Sequence, residues 1–197
     1  YPIDASRPEL QLLTSVPGVR FSQRFATKGG MVKTDVHIHG ILLKGVDNQF
    51  DTSFFASNLI EGSLFGFPDS TPSNEVIISN IIAKKMNLHV GDKMRTYFWQ
   101  GSNYRARAFT ITGIYNTDLA DFDEHYVIGD LRQVQQLNQW APNQVAGIEL
   151  LVDDFAQVGR IANDVASTLP YDLNTYTITP EDFGFTTCAK SELVGGT

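Results

Sequence analysis

Apolar and polar positions alternate from the start of the chain. From Val19 to Phe25, Val19, Phe21 and Gln23 face away from Arg20, Ser22 and Arg24, the period of two of a half-buried strand. Before it, Leu10, Leu12 and Leu13 between Arg7 and Ser15 predict a short helix, stopped by Pro17-Gly18. Lys28-Gly29-Gly30 reads as a turn. A long strand then follows from Val32 to Leu43, with Val36, Ile38, Gly40 and Leu42 on one face and His37, His39, Ile41 and Leu43 on the other.

The middle of the chain is richer in strands. Asp51 to Ile60 is expected to be a helix with Asp51 as N-cap and Phe54, Phe55 and Leu59 on its apolar side. Gly62, Gly66, Pro68 and Pro72 make the next stretch a loop. Glu75 to Ile78 is a short strand, and Ser79 caps a helix that turns Ile81, Ile82 and Met86 inward and exits at Asn87. Gly91-Asp92 leads into a β-hairpin, Lys93 to Trp99 and Tyr104 to Tyr115, joined by a polar link containing Gly101. Asn116 to His125 reads as an acidic loop. Tyr126 to Ile128 is a strand, and Asp130 caps a helix to about Asn138.

In the last third, Val145 to Val152 alternates as a strand, and Asp153-Asp154 supplies an N-cap. Phe155, Val158, Ile161, Ala162 and Val165 recur at spacings of three and four, as one buried helical stripe requires. Pro170 ends that helix, and Leu173 to Ile178 forms another strand. This β-α-β unit, with the N-terminal helix and strands, has the make-up of a ferredoxin-like layer, so the fold class expected is α+β.

Composition narrows the function classes. Hydrophobic residues are 42% and charged residues 19% of the chain, the proportions of a globular fold rather than a disordered one. The net charge of −7 and the scattered Lys and Arg argue against a nucleic-acid partner, which needs a clustered basic footprint. No apolar run approaches the roughly 18 residues of a membrane span, and no signal-peptide pattern is present. The lone Cys188 has no intrachain disulfide partner; it lies in the tail, residues 181–197, expected to be disordered or foreign to the domain.

Candidate chemistry is sparse. His37 and His39 share a strand face, but a zinc site needs three or four ligands and nothing nearby completes the set. Asp118, Asp121, Asp123 and Glu124 could hold calcium, yet the spacing is not an EF-hand and lacks its central glycine, so a solvated connection is expected. There is no G-x-S-x-G elbow and no glycine-rich phosphate loop opening a helix. The expectation is no catalytic residue, no cofactor and no metal.

The segment from Ile41 to Leu137 carries a run of blocks: ILLKGVD, IEGSLFG, EVIISNIIAKKMNLHVGDKMRTYF, RARAFTITGIYNT and DEHYVIGDLRQVQQL. In this order they resemble the extracytoplasmic core domain of ABC-transporter permeases of the lipoprotein-releasing and macrolide-exporter type, the FtsX-like superfamily. The resemblance spans about Pro17 to Ile178. It implies a domain inserted between two transmembrane helices on the periplasmic face of the bacterial inner membrane. It also implies a discontinuous membrane-proximal α/β subdomain, residues 1–45 and 145–180, carrying a β-rich subdomain, residues 46–144. The partners implied are a second permease copy or paralogue, a separate cytoplasmic ATPase, and an envelope protein or lipoprotein cargo. The link from Trp99 to Tyr104 is too short for the extended hairpin with which some members hold a lipoprotein carrier.

The hairpin end supplies the remaining candidates. Trp99 and Tyr104 border the link, where large apolar side chains serve either recognition or packing over the subdomain's edge. With Arg105 and Arg107 they are expected to form one aromatic and cationic patch for a partner. The function expected is coupling of cytoplasmic ATP hydrolysis to movement of an envelope substrate. The alternatives are a secreted carbohydrate- or peptide-binding module using Trp99 and Tyr104, and a hydrolase using the acidic loop.

Overall fold

The computed structural model describes residues 2–101, 103–170, 173–177 and 187–190. Along the chain run β1 (Ile3–Asp4), α1 (Pro8–Gln11), β2 (Val19–Lys33), β3 (Ile38–Val46), α2 (Ser53–Ser57), β4 (Leu59–Gly62), β5 (Glu75–Ser79) and α3 (Asn80–Met86). Then come β6 (Lys93–Gln100), β7 (Asn103–Tyr115), α4 (Ala120–His125), β8 (Tyr126–Asp130), α5 (Leu131–Asn138) and β9 (Gln144–Val145). The last elements are β10 (Gly147–Val152), α6 (Val158–Thr168), β11 (Asn174–Thr177) and β12 (Thr187–Lys190). The fold class is α+β. The chain divides into two compact units, residues 1–25 with 140–197 and residues 26–139.

In the discontinuous unit the first half of β2 pairs antiparallel with β10, β10 with β12, and β12 with β11. The β10–α6–β11 crossover therefore straddles β12, the split β-α-β arrangement of ferredoxin-like sheets. Ile161 and Val165 of α6 are fully buried, as their spacing predicts, with Leu10, Leu13, Ile148 and Leu150 also in this unit's core. Val158 is only half-buried and Phe155 is exposed, because the first turn is a 3-10 turn, Phe155–Gln157, that swings the early stripe outward. Asp154 caps that turn by accepting from the Ala156 amide. Residues 187–190, expected in a tail apart from the fold, form β12, with the Cys188 backbone opposite Glu149 and Tyr176. Residues 181–186 and 191–197 of that tail, and Ile178, lie outside the described residues.

In the other unit β2 pairs with β3, β3 with β8 in parallel, β8 with β5, β5 with β7 in parallel, β7 with β6, and β6 back with β2. These strands close on themselves, which removes most free edges. Val32, Leu43, Val76, Met94, Phe98, Phe109, Ile111 and Val127 are buried. Closure also explains a departure from the sequence pattern. Lys28-Gly29-Gly30 is no turn but the continuation of β2, and the reversal falls at Thr34–His37, where the Thr34 amide donates to the His37 carbonyl. Gly30 faces Phe98, whose ring fills the space a β-carbon would need.

Other corrections follow from packing. The unit boundary expected near residue 45 falls earlier: β3 does lie beside β2, but it also pairs in parallel with β8 and is grouped with residues 26–139. The helix expected over Asp51–Ile60 shortens to α2, because the chain leaves at Leu59 to pair with β7 as β4. Phe50, Phe54, Phe65 and Phe67 pack against the buried Phe55, Tyr115 and Phe122. The N-caps at Ser79 and Asp130 are present, accepting from the Ile82 and Arg132 amides.

Candidate functional site

The β6–β7 hairpin sets the geometry of the candidate surface. Its register places Trp99 opposite Tyr104, Phe98 opposite Arg105, Tyr97 opposite Ala106 and Thr96 opposite Arg107. Residues directly opposite across an antiparallel pair project to the same face. Trp99 and Tyr104 therefore share a face, their ring centroids 4.5 Å apart at an interplanar angle of 81°, an edge-to-face pair. Both are more than half exposed, at 54% and 59%.

Arg105 and Arg107 do share a face with each other, but it is the reverse one, in line with the buried Phe98 and Thr96. Arg105 is exposed and Arg107 half-buried, and the Arg107 Nη1 donates to the Ala106 carbonyl at 3.4 Å. The expected single aromatic and cationic patch is thus two surfaces. The cations on the Trp99 face are instead Lys93 and Arg95, which alternate with Tyr97 and Trp99 along β6. Sequence alternation alone could have found them.

The other candidates fall elsewhere. His37 sits in the β2–β3 turn, its amide donating to the Thr34 hydroxyl, so the two histidines are not paired strand positions. The His39 Nε2 lies 2.7 Å from the Glu124 carbonyl oxygen, and its ring stacks on His125 at 6.3 Å. The expected acidic loop holds α4. Asp123 is buried, its carboxylate accepting from the Thr117 amide and hydroxyl at 3.0 and 2.7 Å. Leu119, Phe122 and Tyr126, spaced by three and four, were the available signal for that helix. The Glu124 carboxylate is held below its ordinary range, chiefly by a hydrogen bond from Lys85 and by its charge. Asp121 is exposed, and Asp118 accepts from the Asn116 amide group. Among the described residues no group of three or more His, Cys, Asp or Glu is arranged to hold a metal ion. No helix among them is long and apolar enough to cross a membrane.

The fold recurs in transporter domains. The extracellular domain of the noncanonic ABC-type transporter YknZ from Gram-positive bacteria superposes with a TM-score of 0.58 at 14% identity, over 85% of this chain and 82% of that one. The periplasmic region of MacB from Actinobacillus actinomycetemcomitans gives 0.52 at 13% identity, over 81% and 72%. The family model of the MacB-like periplasmic core domain matches residues 2–168, and the chain belongs to that family. The family is one of transporter-permease domains. No curated protein matches the sequence.

Proposed function

We propose that this chain is the periplasmic part of an ABC-transporter permease subunit that couples cytoplasmic ATP hydrolysis to movement of an envelope substrate, by lipoprotein release or export. The observation that carries the reading is the family match over residues 2–168 on a fold whose β6–β7 end presents Trp99 and Tyr104 to solvent. Aromatic side chains dominate binding hot spots because they bury large area with few torsions to freeze. The discontinuous α/β unit is the membrane-proximal part, and the closed β-rich unit carries the contact surface. Movement of the transmembrane helices would reach the envelope partner as a rigid-body change. The partners are a second permease copy or paralogue, a separate ATPase, and an envelope protein or lipoprotein.

The test is made in the full-length permease with its ATPase, in cells and in reconstituted membranes. Trp99→Ala with Tyr104→Ala should lower ATP-dependent lipoprotein release or efflux severalfold at unchanged abundance, while ATP hydrolysis persists. Transport at the wild-type rate would overturn the role of this surface. Recovery of the native protein in the secreted rather than the membrane fraction would overturn the permease reading and favour a secreted binding module.

A further inference from the structure

We propose that the outward face of β6, with the groove beside β2, binds an extended acidic segment of a partner protein, of the form acidic–x–acidic followed by alternating apolar residues. Lys93, Arg95, Tyr97 and Trp99 occupy alternate positions of β6, and Met31 of β2 stands opposite Tyr97. Lys33, two residues on from Met31, is exposed beside them and lines an open groove with Thr34, Lys93, Arg95 and Tyr97. This face therefore carries its cations at one end and exposed apolar side chains, Met31, Trp99 and Tyr104, at the other.

The cations are available. Among the described residues neither Lys33 nor Arg95 forms an ion pair, and the Lys93 Nζ donates only to the Thr110 hydroxyl, at 2.5 Å. Clustering of Lys33, Lys93 and Arg95 on one face is unlike the rest of a chain whose net charge is −7. Spacing favours an extended occupant. Alternate residues of a strand lie about 6.5–7 Å apart, so carboxylates two residues apart in an extended peptide match Lys93 and Arg95. The next same-side residues then reach Tyr97 and Trp99. Because β6 is hydrogen-bonded on both sides, to β2 and β7, the occupant is held by side chains and not as an added strand.

A broad anionic surface fits less well. A bilayer would meet the net negative charge of the chain within a Debye length of about 8–10 Å, whereas a short segment meets the three local cations against the single groove carboxylate, Asp35. The proposal rests on the periplasmic reading only for the partner's origin.

The test uses the 197-residue chain, isotopically labelled, titrated with the peptide acetyl-Glu-Ser-Glu-Ser-Val-Ser-Leu-amide and with its Gln-for-Glu counterpart, at low and physiological salt. The acidic peptide should shift the Trp99 indole and the amides of β6, with binding weakened at least tenfold by Lys33→Glu with Arg95→Glu and unaffected by Arg20→Glu with Lys84→Glu. Equal binding of both peptides, shifts located elsewhere, or no binding would overturn the proposal. So would binding through these cations to phosphatidylglycerol vesicles alone, which would assign the face to a membrane. None of these outcomes depends on transport, so failure here leaves the permease reading standing.

Discussion

Gly30 of β2 stands opposite Phe98 of β6, and the ring's Cε1 and Cδ1 lie 2.7 and 2.8 Å from where a β-carbon on Gly30 would sit. Phe98 is fully buried and meets Phe109 edge-to-face, so the ring cannot move aside without disturbing the core where β2, β6 and β7 join. Gly30→Ala should therefore cost about 1–3 kcal/mol through overpacking. Gly29, with nothing within 4 Å of its β-carbon position, provides the contrast: Gly29→Ala should cost nothing measurable. Urea midpoints of the two variants decide it, and equal stabilities would mean that the ring is not seated over Gly30.

That same contact shows where a single sequence stops being informative. A Gly-Gly pair reads locally as a turn, and the reason for it here is an aromatic ring from a strand far along the chain. The caps at Ser79, Asp130 and Asp154 were legible because donor and acceptor are two or three residues apart. The buried stripe at Ile161 and Val165 was legible because helical period is local. The helix α4 was obscured by its charge: Asp121, Asp123 and Glu124 suggest solvent, yet Phe122 and Asp123 face inward. At the candidate site, the exposure of Trp99 and Arg105 was legible from their place at a hairpin end, while sequence left Tyr104 open between recognition and packing. The separation of Trp99 and Tyr104 from Arg105 needed only the alternation of adjacent strand residues, whereas the grouping of Lys33 with Lys93 and Arg95 needed the β2–β6 pairing, which no local pattern contains.

In the discontinuous unit, Ile161 is fully buried and its Cδ1 lies 2.7 Å from the β-carbon position of Gly18. Ile161→Ala should cost about 2–5 kcal/mol, combining lost transfer energy with the cavity left behind. Val158→Ala, at a half-buried position, should cost clearly less. Equal losses in chemical denaturation would show that the first turn of α6 is packed as firmly as its centre.

Tyr115 gives a pH signature. Burial, reinforced by the negative charge of Asp123 and by Tyr126, raises its phenol well above 10.0, and its hydroxyl donates to the Tyr126 carbonyl at 2.7 Å. The folded state thus holds this proton more tightly than the unfolded chain does. The stabilisation is fully present below the unfolded value near 10 and is lost progressively as pH rises above it. Wild type should lose stability more steeply than Tyr115→Phe above about pH 10, while below pH 9 the variant should be weaker by about 0.5–1.5 kcal/mol for the lost hydrogen bond. Parallel pH dependences of the two proteins would rule out this phenol as the source.

The separation of the hairpin's two faces makes the last prediction. Trp99 and Tyr104 touch as an edge-to-face pair, so a double-mutant cycle through Trp99→Ala and Tyr104→Ala should give a coupling of about 0.5–1.5 kcal/mol. Trp99 and Arg105 are close along the backbone but project to opposite sides, so the cycle through Trp99→Ala and Arg105→Ala should be additive within about 0.3–0.5 kcal/mol. The same contrast should appear in function: Arg105→Glu should add nothing to the transport defect of Trp99→Ala if only the aromatic face meets the partner. A strong coupling between Trp99 and Arg105 in both measurements would mean that the partner wraps the hairpin end and reads its two faces together.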